Sequence, residues 1–160
     1  MGEHGECGEL VKLKVTFENY VLLKAFFGWM VKHTYPKVTE LPFEHQPLNF
    51  LSALEEKNPG LARQSLRMGI GDTLEETQSW SLQQTQTVDV ALTAAGLPTL
   101  SAVRLEFSKK IASIRRRGKV RSELEYYALR NVVEAMPEAD QDNAWQLLAS
   151  FEEKAGSKCP

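Results

Sequence analysis

The sequence predicts a single all-α domain over residues 1–160, an irregular bundle of six or seven helices. Apolar residues recur at helical spacing along most of the chain, and capping boxes or glycine and proline pairs separate these segments. Residues 10–17 alternate as a strand does, but no second convincing strand is present to pair with them. A length of 160 residues with 42% apolar content is ordinary for one globular domain.

The most hydrophobic predicted helix spans residues 18–33. Its only polar line contains Lys24, Gly28 and Lys32, and the other sides are almost entirely apolar. A helix of this kind is buried among its neighbours or covers a partner. We predict that it is the central core helix, and the second interpretation is a homodimer interface formed by this apolar helix.

Residues 34–47 contain three prolines, which exclude a regular helix and predict a long connection. Two short helices are predicted after it, at 48–57 and 60–68. The glycines at positions 69 and 71 predict the end of the second one.

A capping box formed by Asp72 and Glu75 predicts a helix from residue 72 to about residue 95. The middle of this segment is uncharged and rich in hydroxyl and amide side chains, which need hydrogen-bond partners if they face the core. One interpretation is therefore a polar-lined groove. The alternatives are a solvated helix or two helices broken near residue 83. The groove residues would be Thr77, Gln78, Ser81 and Thr85.

The clearest amphipathic helix is predicted at 100–117, followed by Gly118 in a left-handed conformation. A second capping box, Ser122 to Glu125, opens a helix predicted at 122–135. The last helix begins near Pro137 and has one apolar face. The ends of the chain, 1–9 and 154–160, are predicted to be mobile. The apolar face of the last helix contains Ala144, Trp145, Leu147, Leu148 and Phe151.

Seven basic residues lie between positions 109 and 121 with no acid among them, and we call this set the basic corner. The chain has 19 basic residues, which leaves 12 against 21 acidic ones elsewhere. The net charge of −2 therefore conceals a strong charge separation. The basic corner consists of Lys109, Lys110, Arg115, Arg116, Arg117, Lys119 and Arg121.

Three interpretations of the basic corner remain open from the sequence. Its side chains pair with acids of the same chain, or they bind an acidic protein partner, or they contact nucleic acid. A DNA-reading helix-turn-helix is disfavoured because the second helix opens with Glu123 and Glu125, which phosphates repel. Tyr127 and Arg130 lie on the polar side of that helix, and we predict them as further contact residues.

Catalytic and cofactor motifs are missing from the sequence, so we predict a non-enzymatic binding or regulatory protein without a cofactor. Its classes would be adaptor, inhibitor or immunity-type protein, and its partner an acidic protein. The alternative is a sequence-nonspecific nucleic-acid-binding protein that uses the same basic corner. No metal site is predicted, because the histidines and cysteines lack ligand spacing. Cys7 and Cys159 read as free thiols in the cytoplasm, and no segment is long and apolar enough to span a membrane.

Overall fold

The computed structural model describes residues 15, 16 and 18–158. Within this part of the chain there are eight α-helices and three short 3₁₀-helices, with no strand, which confirms the predicted all-α class. The predictions for residues 1–9, Cys7 and Cys159 lie outside the described residues. The helices are α1 Tyr20–Thr34, α2 Pro47–Lys57, α3 Pro59–Glu76, α4 Leu82–Ala94, α5 Leu100–Phe107, α6 Lys109–Arg117, α7 Glu123–Arg130 and α8 Glu138–Lys158.

Contacts along the described chain divide it into two compact units. The first contains residues 15–79 and 92–98, and therefore α1 to α3. The second contains residues 80–91 and 99–158, and therefore most of α4 and all of α5 to α8. A single domain over the whole chain stays a prediction.

Helix α1 supplies much of the core of the first unit. Phe26 and Met30 are fully buried, and Phe27 is nearly so. Val21 and Leu22, near the start of the helix, are exposed, so a partner interface on this helix stays a prediction. Among the described helices, none has both the length and the apolar content needed to cross a membrane.

The proline-rich connection has no α-helix between Thr34, the last residue of α1, and Pro47, the first residue of α2. Its two 3₁₀-helices span Pro36–Glu40 and Phe43–His45, and Pro47 takes the first position of α2. That position suits proline because the first amide of a helix has no intrahelical acceptor.

The predicted helix break at Gly69 and Gly71 is wrong, because α3 continues through both glycines to Glu76. Fully buried Leu66 and Ile70, four residues apart, hold this stretch against the core. Gly69 serves close packing here: a Cβ at this position would lie 2.8 Å from Cζ of Phe27, whereas one at Gly71 meets no heavy atom within 4 Å.

These two glycines make a matched test of the packing of α3. Gly69→Ala is expected to lower the free energy of unfolding by about 1–3 kcal/mol, since the added Cβ would overlap the Phe27 ring, which is 9% exposed. Gly71→Ala is expected to raise it by about 0.5–1 kcal/mol, because alanine is the better helix former. Urea unfolding of both variants measures the difference. Equal effects of the two substitutions would contradict this account of Gly69.

The predicted helix from residue 72 to about 95 is also wrong in its start, because Asp72 lies inside α3. The chain leaves the helix after Glu76 and starts again at α4. A different capping box opens α4: the Gln84 amide donates to Ser81 Oγ at 3.1 Å, and Gln84 Oε1 accepts from the Ser81 amide at 2.9 Å. The segment therefore consists of two helices, as one of the alternatives predicts. The break lies at residues 77–81.

The second unit is built on α6, α7 and α8. Ile111 and Ile114 of α6 pack with Leu129 and Leu148, and all four are fully buried. The predicted helix 100–117 is divided at Ser108, whose backbone is extended and whose Oγ caps α6 by accepting from the Ile111 amide at 3.2 Å. The apolar stripe continues across this division, which explains why the sequence reads as one helix.

Two further helix ends differ from the predictions. The helix predicted at 122–135 ends at Arg130, and a 3₁₀-helix spans Val133–Ala135. The Asn131 side chain at this end donates to the Trp80 carbonyl at 3.1 Å. The predicted tail from residue 154 is instead helical as far as Lys158, because α8 extends there.

A cluster of polar side chains joins α4 to α5. Arg104 is 6% exposed and donates from Nη1 to Thr85 Oγ1 at 3.2 Å. Asp89 accepts from both the amide and the hydroxyl of Ser101, at 3.3 Å and 2.5 Å. Burial lowers the pKa of Arg104 to about 10, and the Asp89 carboxylate acts against that shift.

Candidate functional site

The basic corner lies on α6 and on the turn that connects α6 to α7. Ile111 and Ile114 bury one side of α6, which leaves the cations on its other sides. The helix ends at Gly118, whose φ of 74° is left-handed, as the sequence predicts. Glycine takes this conformation with little cost, so the chain can turn sharply between the two helices.

Arg117 and Glu125 fix the shape of this turn. Arg117 Nη2 lies 2.5 Å from Glu125 Oε1 and 2.9 Å from the Lys119 carbonyl oxygen. The same carboxylate oxygen accepts from the Arg121 amide at 2.8 Å. Ser122 Oγ accepts from the Glu125 amide at 3.2 Å, which confirms the predicted start of this helix. Arg117 is therefore a structural residue of the corner.

The other cations of the basic corner are less constrained. Arg115 pairs with Asp140 at 3.3 Å on the exposed surface, an interaction that contributes only about 0–1 kcal/mol. Over residues 15, 16 and 18–158, five cations of the corner form no ion pair, although Arg116 donates to Ser113 Oγ at 3.4 Å. Four of the five are exposed, and Lys110 is half-buried. The five are Lys109, Lys110, Arg116, Lys119 and Arg121.

The two contact residues predicted on α7 differ in how much of their side chains is exposed. Tyr127 is 54% exposed, with its ring edge-on to Tyr126 at 5.2 Å. Arg130 is half-buried, and its guanidinium carbon lies 4.9 Å from the ring centre of Trp145. In the described part of the chain, Arg130 Nη1 is buried without a hydrogen-bond partner. Arg130 is thus held by stacking on an aromatic ring.

A groove of about 310 Å³ adjoins the basic corner, between the turn after α6 and the last turns of α8. Lys119 belongs to both the corner and the groove. Phe151 lines the groove and packs on Tyr126 with ring centres 5.5 Å apart. The groove is lined by Gly118, Lys119, Val120, Leu147, Ser150, Phe151 and Lys154.

Three residues around the basic corner and the groove are not predicted as surface residues by the sequence. The sequence predicts Trp145 on the apolar face of the last helix, but its side chain is 39% exposed and the Arg130 guanidinium stacks on its ring. Its position, one residue after buried Ala144, puts it at the edge of the apolar stripe, which is the signal that identifies it. Ser150 and Lys154 carry no such signal, because only the path of α8 beside the turn brings them to the groove.

The four residues of the predicted polar groove do not share a helix. Thr77 and Gln78 belong to the first unit, and Ser81 and Thr85 to the second. Buried Thr77 donates its hydroxyl to the Thr73 carbonyl at 2.9 Å, and buried Thr85 accepts from Arg104. Gln78 and Ser81 are exposed. The continuous helical stripe behind this prediction is therefore wrong, and the groove itself stays a prediction.

A second cluster of titratable groups lies in the first unit. Glu55 Oε2 accepts from the Tyr20 hydroxyl and from Lys24 Nζ, each at 2.6 Å. Burial raises the pKa of Tyr20, and the neighbouring Glu55 carboxylate raises it further. Burial acts to raise the pKa of Glu55, but the hydrogen bonds from Lys24 and Tyr20 outweigh it and lower the pKa. A tyrosine with a raised pKa stays protonated and an acid with a lowered pKa stays ionised, so the hydrogen bonds and the ion pair of this cluster join α1 to α2.

Over residues 15, 16 and 18–158, no group of three histidine, cysteine or carboxylate side chains is arranged to hold a metal ion. Comparison of the chain with protein-family models, with curated proteins and with solved structures finds no match. Any functional conclusion therefore depends on the side chains themselves.

Proposed function

We propose that the chain is a non-enzymatic binding or regulatory protein of the adaptor, inhibitor or immunity type. Its basic corner binds an acidic protein partner. The main support is the set of five corner cations without an ion pair in the described part of the chain. Five unpaired charges within 13 residues of sequence attract an acidic surface and orient it during encounter.

The rigidity of the corner supports the same proposal. Arg117 and Glu125 join the turn to the first residues of α7, Ser108 caps the helix that carries most of the cations, and Ser122 caps the helix that follows the corner. A preformed surface loses less conformational freedom on binding than a mobile one, so more of the interaction energy appears as affinity.

Residues at the edge of the corner favour a protein over a nucleic acid. Glu123 is exposed in the first turn of α7, where a phosphate backbone would be repelled. Tyr127, Arg130 and Trp145 are of the residue types that are enriched at protein interface hot spots. The proposal places the protein in the cytoplasm, because the composition predicts free thiols in a reducing compartment.

A fluorescence anisotropy titration tests the proposal with three labelled probes of equal formal charge. These are a glutamate-rich peptide, a single-stranded RNA and a duplex DNA, each measured in 50 mM and 200 mM salt. We expect the peptide to bind most tightly, with a Kd in the range of about 1–100 μM at the lower salt concentration. Its affinity is expected to fall at the higher concentration, since exposed charges are screened over about 8–10 Å near physiological ionic strength.

Two results would overturn the proposal. Absence of peptide binding in 50 mM salt would remove the acidic partner. Tighter binding of RNA or DNA, with a steep loss of affinity between the two salt concentrations, would favour the nucleic-acid-binding alternative instead.

A further inference from the structure

We infer that the groove between the turn at Gly118 and the last turns of α8 receives one large apolar side chain of the partner, flanked in the partner sequence by carboxylates. This inference rests on the proposed function, because it specifies which acidic segment the basic corner recognises. It is carried by the size of the groove, by its apolar lining and by the exposed cation Lys119 at its rim.

The size of the groove limits its occupant. A volume of about 310 Å³ is at the lower end of the range for ligand pockets, which is about 300–1,000 Å³. A whole helix or a large cofactor does not fit such a space, whereas a single leucine or phenylalanine side chain does. The groove therefore suits one anchor side chain of a partner segment.

The apolar lining is already in place in the free protein. Val120 is 5% exposed, and Leu147 and Phe151 pack against the core formed by α6, α7 and α8. Phe151 is held further by the ring of Tyr126. Because these side chains are anchored from behind, an incoming apolar group meets a formed surface and removes further apolar area from water.

The rim of the groove determines the charge of the segment that carries the anchor. Lys119 lines one side of the groove from the turn, is exposed and makes no ion pair within the described residues. It belongs to the basic corner, so the unpaired cations of the corner reach the edge of the groove. Acidic residues beside the apolar anchor match these cations, and basic residues there are repelled.

Two labelled heptapeptides test the inference. One has leucine at its centre and three glutamates on each side, and the other has serine in place of the leucine. The leucine peptide is expected to bind about 10-fold more tightly, a factor that corresponds to about 1.4 kcal/mol, because the groove removes much of the leucine side chain from water.

A blocking substitution locates the anchor. Ser150→Trp fills the groove from an exposed position and is expected to reduce the affinity for the leucine peptide at least 10-fold. Ala149→Trp adds the same side chain at the neighbouring exposed position, which does not line the groove, and is expected to leave the affinity unchanged. Thermal unfolding of both variants checks that the fold is retained.

The outcomes separate this inference from the proposed function. If both peptides bind with equal affinity and Ser150→Trp has no effect, the groove is not the anchor site while the acidic partner survives. If neither peptide binds, both the inference and the proposed function are wrong. Preference for the leucine peptide that Ser150→Trp removes and Ala149→Trp preserves supports the inference.

Discussion

Asp89→Ala is expected to lower the free energy of unfolding by about 1–3 kcal/mol, the cost of leaving buried donors without their acceptor. The Asp89 carboxylate accepts from the amide and the hydroxyl of Ser101, which is 5% exposed. It is also a charge that favours the protonated form of Arg104, which is 6% exposed. Chemical denaturation measures the loss, with Asp72→Ala as the control because that carboxylate is exposed and is expected to change the stability by less than about 0.5 kcal/mol.

A double variant measures the electrostatic coupling between Asp89 and Arg104. When Arg104→Met is combined with Asp89→Ala, the loss of stability is expected to be smaller than the sum of the two single losses, because each single substitution already removes the attraction between the two charges. The account is contradicted if the two losses are additive. In that case the double variant loses as much stability as Asp89→Ala and Arg104→Met lose together when each is measured alone. That additivity would mean that the two side chains do not interact.

The local geometry of the basic corner was predictable because its signals lie close together in sequence. Gly118 follows a run of arginines that suits the end of a helix, and Ser122 has the spacing of a cap relative to Glu125. Each of these signals concerns atoms within one or two turns of the chain. The structure confirms both the end of α6 and the start of α7.

Features that depend on distant residues were not predictable in this way. Two glycines in α3 read as a helix break, and only the contact with Phe27 shows that Gly69 permits close packing instead. The pairing of Arg115 with Asp140 and the covering of Trp145 by Arg130 also require the paths of separate helices. One sequence carries no direct information on such contacts.

The division of the helix predicted at 100–117 has a different origin. Ser108 accepts from the Ile111 amide and so competes with the regular helical pattern, yet the apolar stripe on both sides of it is uninterrupted. Periodicity alone cannot separate one helix from two that share an apolar face. The cations of α6 consequently belong to a shorter helix that begins with Lys109.

Reversing three cations of the basic corner is expected to weaken binding of the glutamate-rich peptide by about 100-fold. The triple variant is Lys109→Glu, Arg116→Glu and Lys119→Glu, which avoids Arg117 because Arg117 holds the turn. Each reversal replaces an attraction by a repulsion at the binding surface, so about 1 kcal/mol for each accounts for this factor. Glutamate at position 109 suits the helix dipole at the start of α6, whereas glutamate at position 116 opposes it at the end. The two effects are of similar size and opposite sign, so the fold is expected to survive.

The control changes the net charge by the same amount at exposed cations of the first unit. It carries Lys37→Glu, Lys57→Glu and Arg67→Glu, and it is expected to bind the peptide within about threefold of the unmodified protein, since these exposed cations do not belong to the basic corner. Unfolding curves of both triple variants confirm that they are folded before binding is compared.

The ratio of the two Kd values for the glutamate-rich peptide, measured in one buffer, is the most direct test of a binding site at the basic corner. A corner variant that binds about 100-fold more weakly, beside a control variant close to the unmodified protein, is the predicted result. Equal weakening of both variants would show that only the total charge matters, and would contradict a binding site at the basic corner.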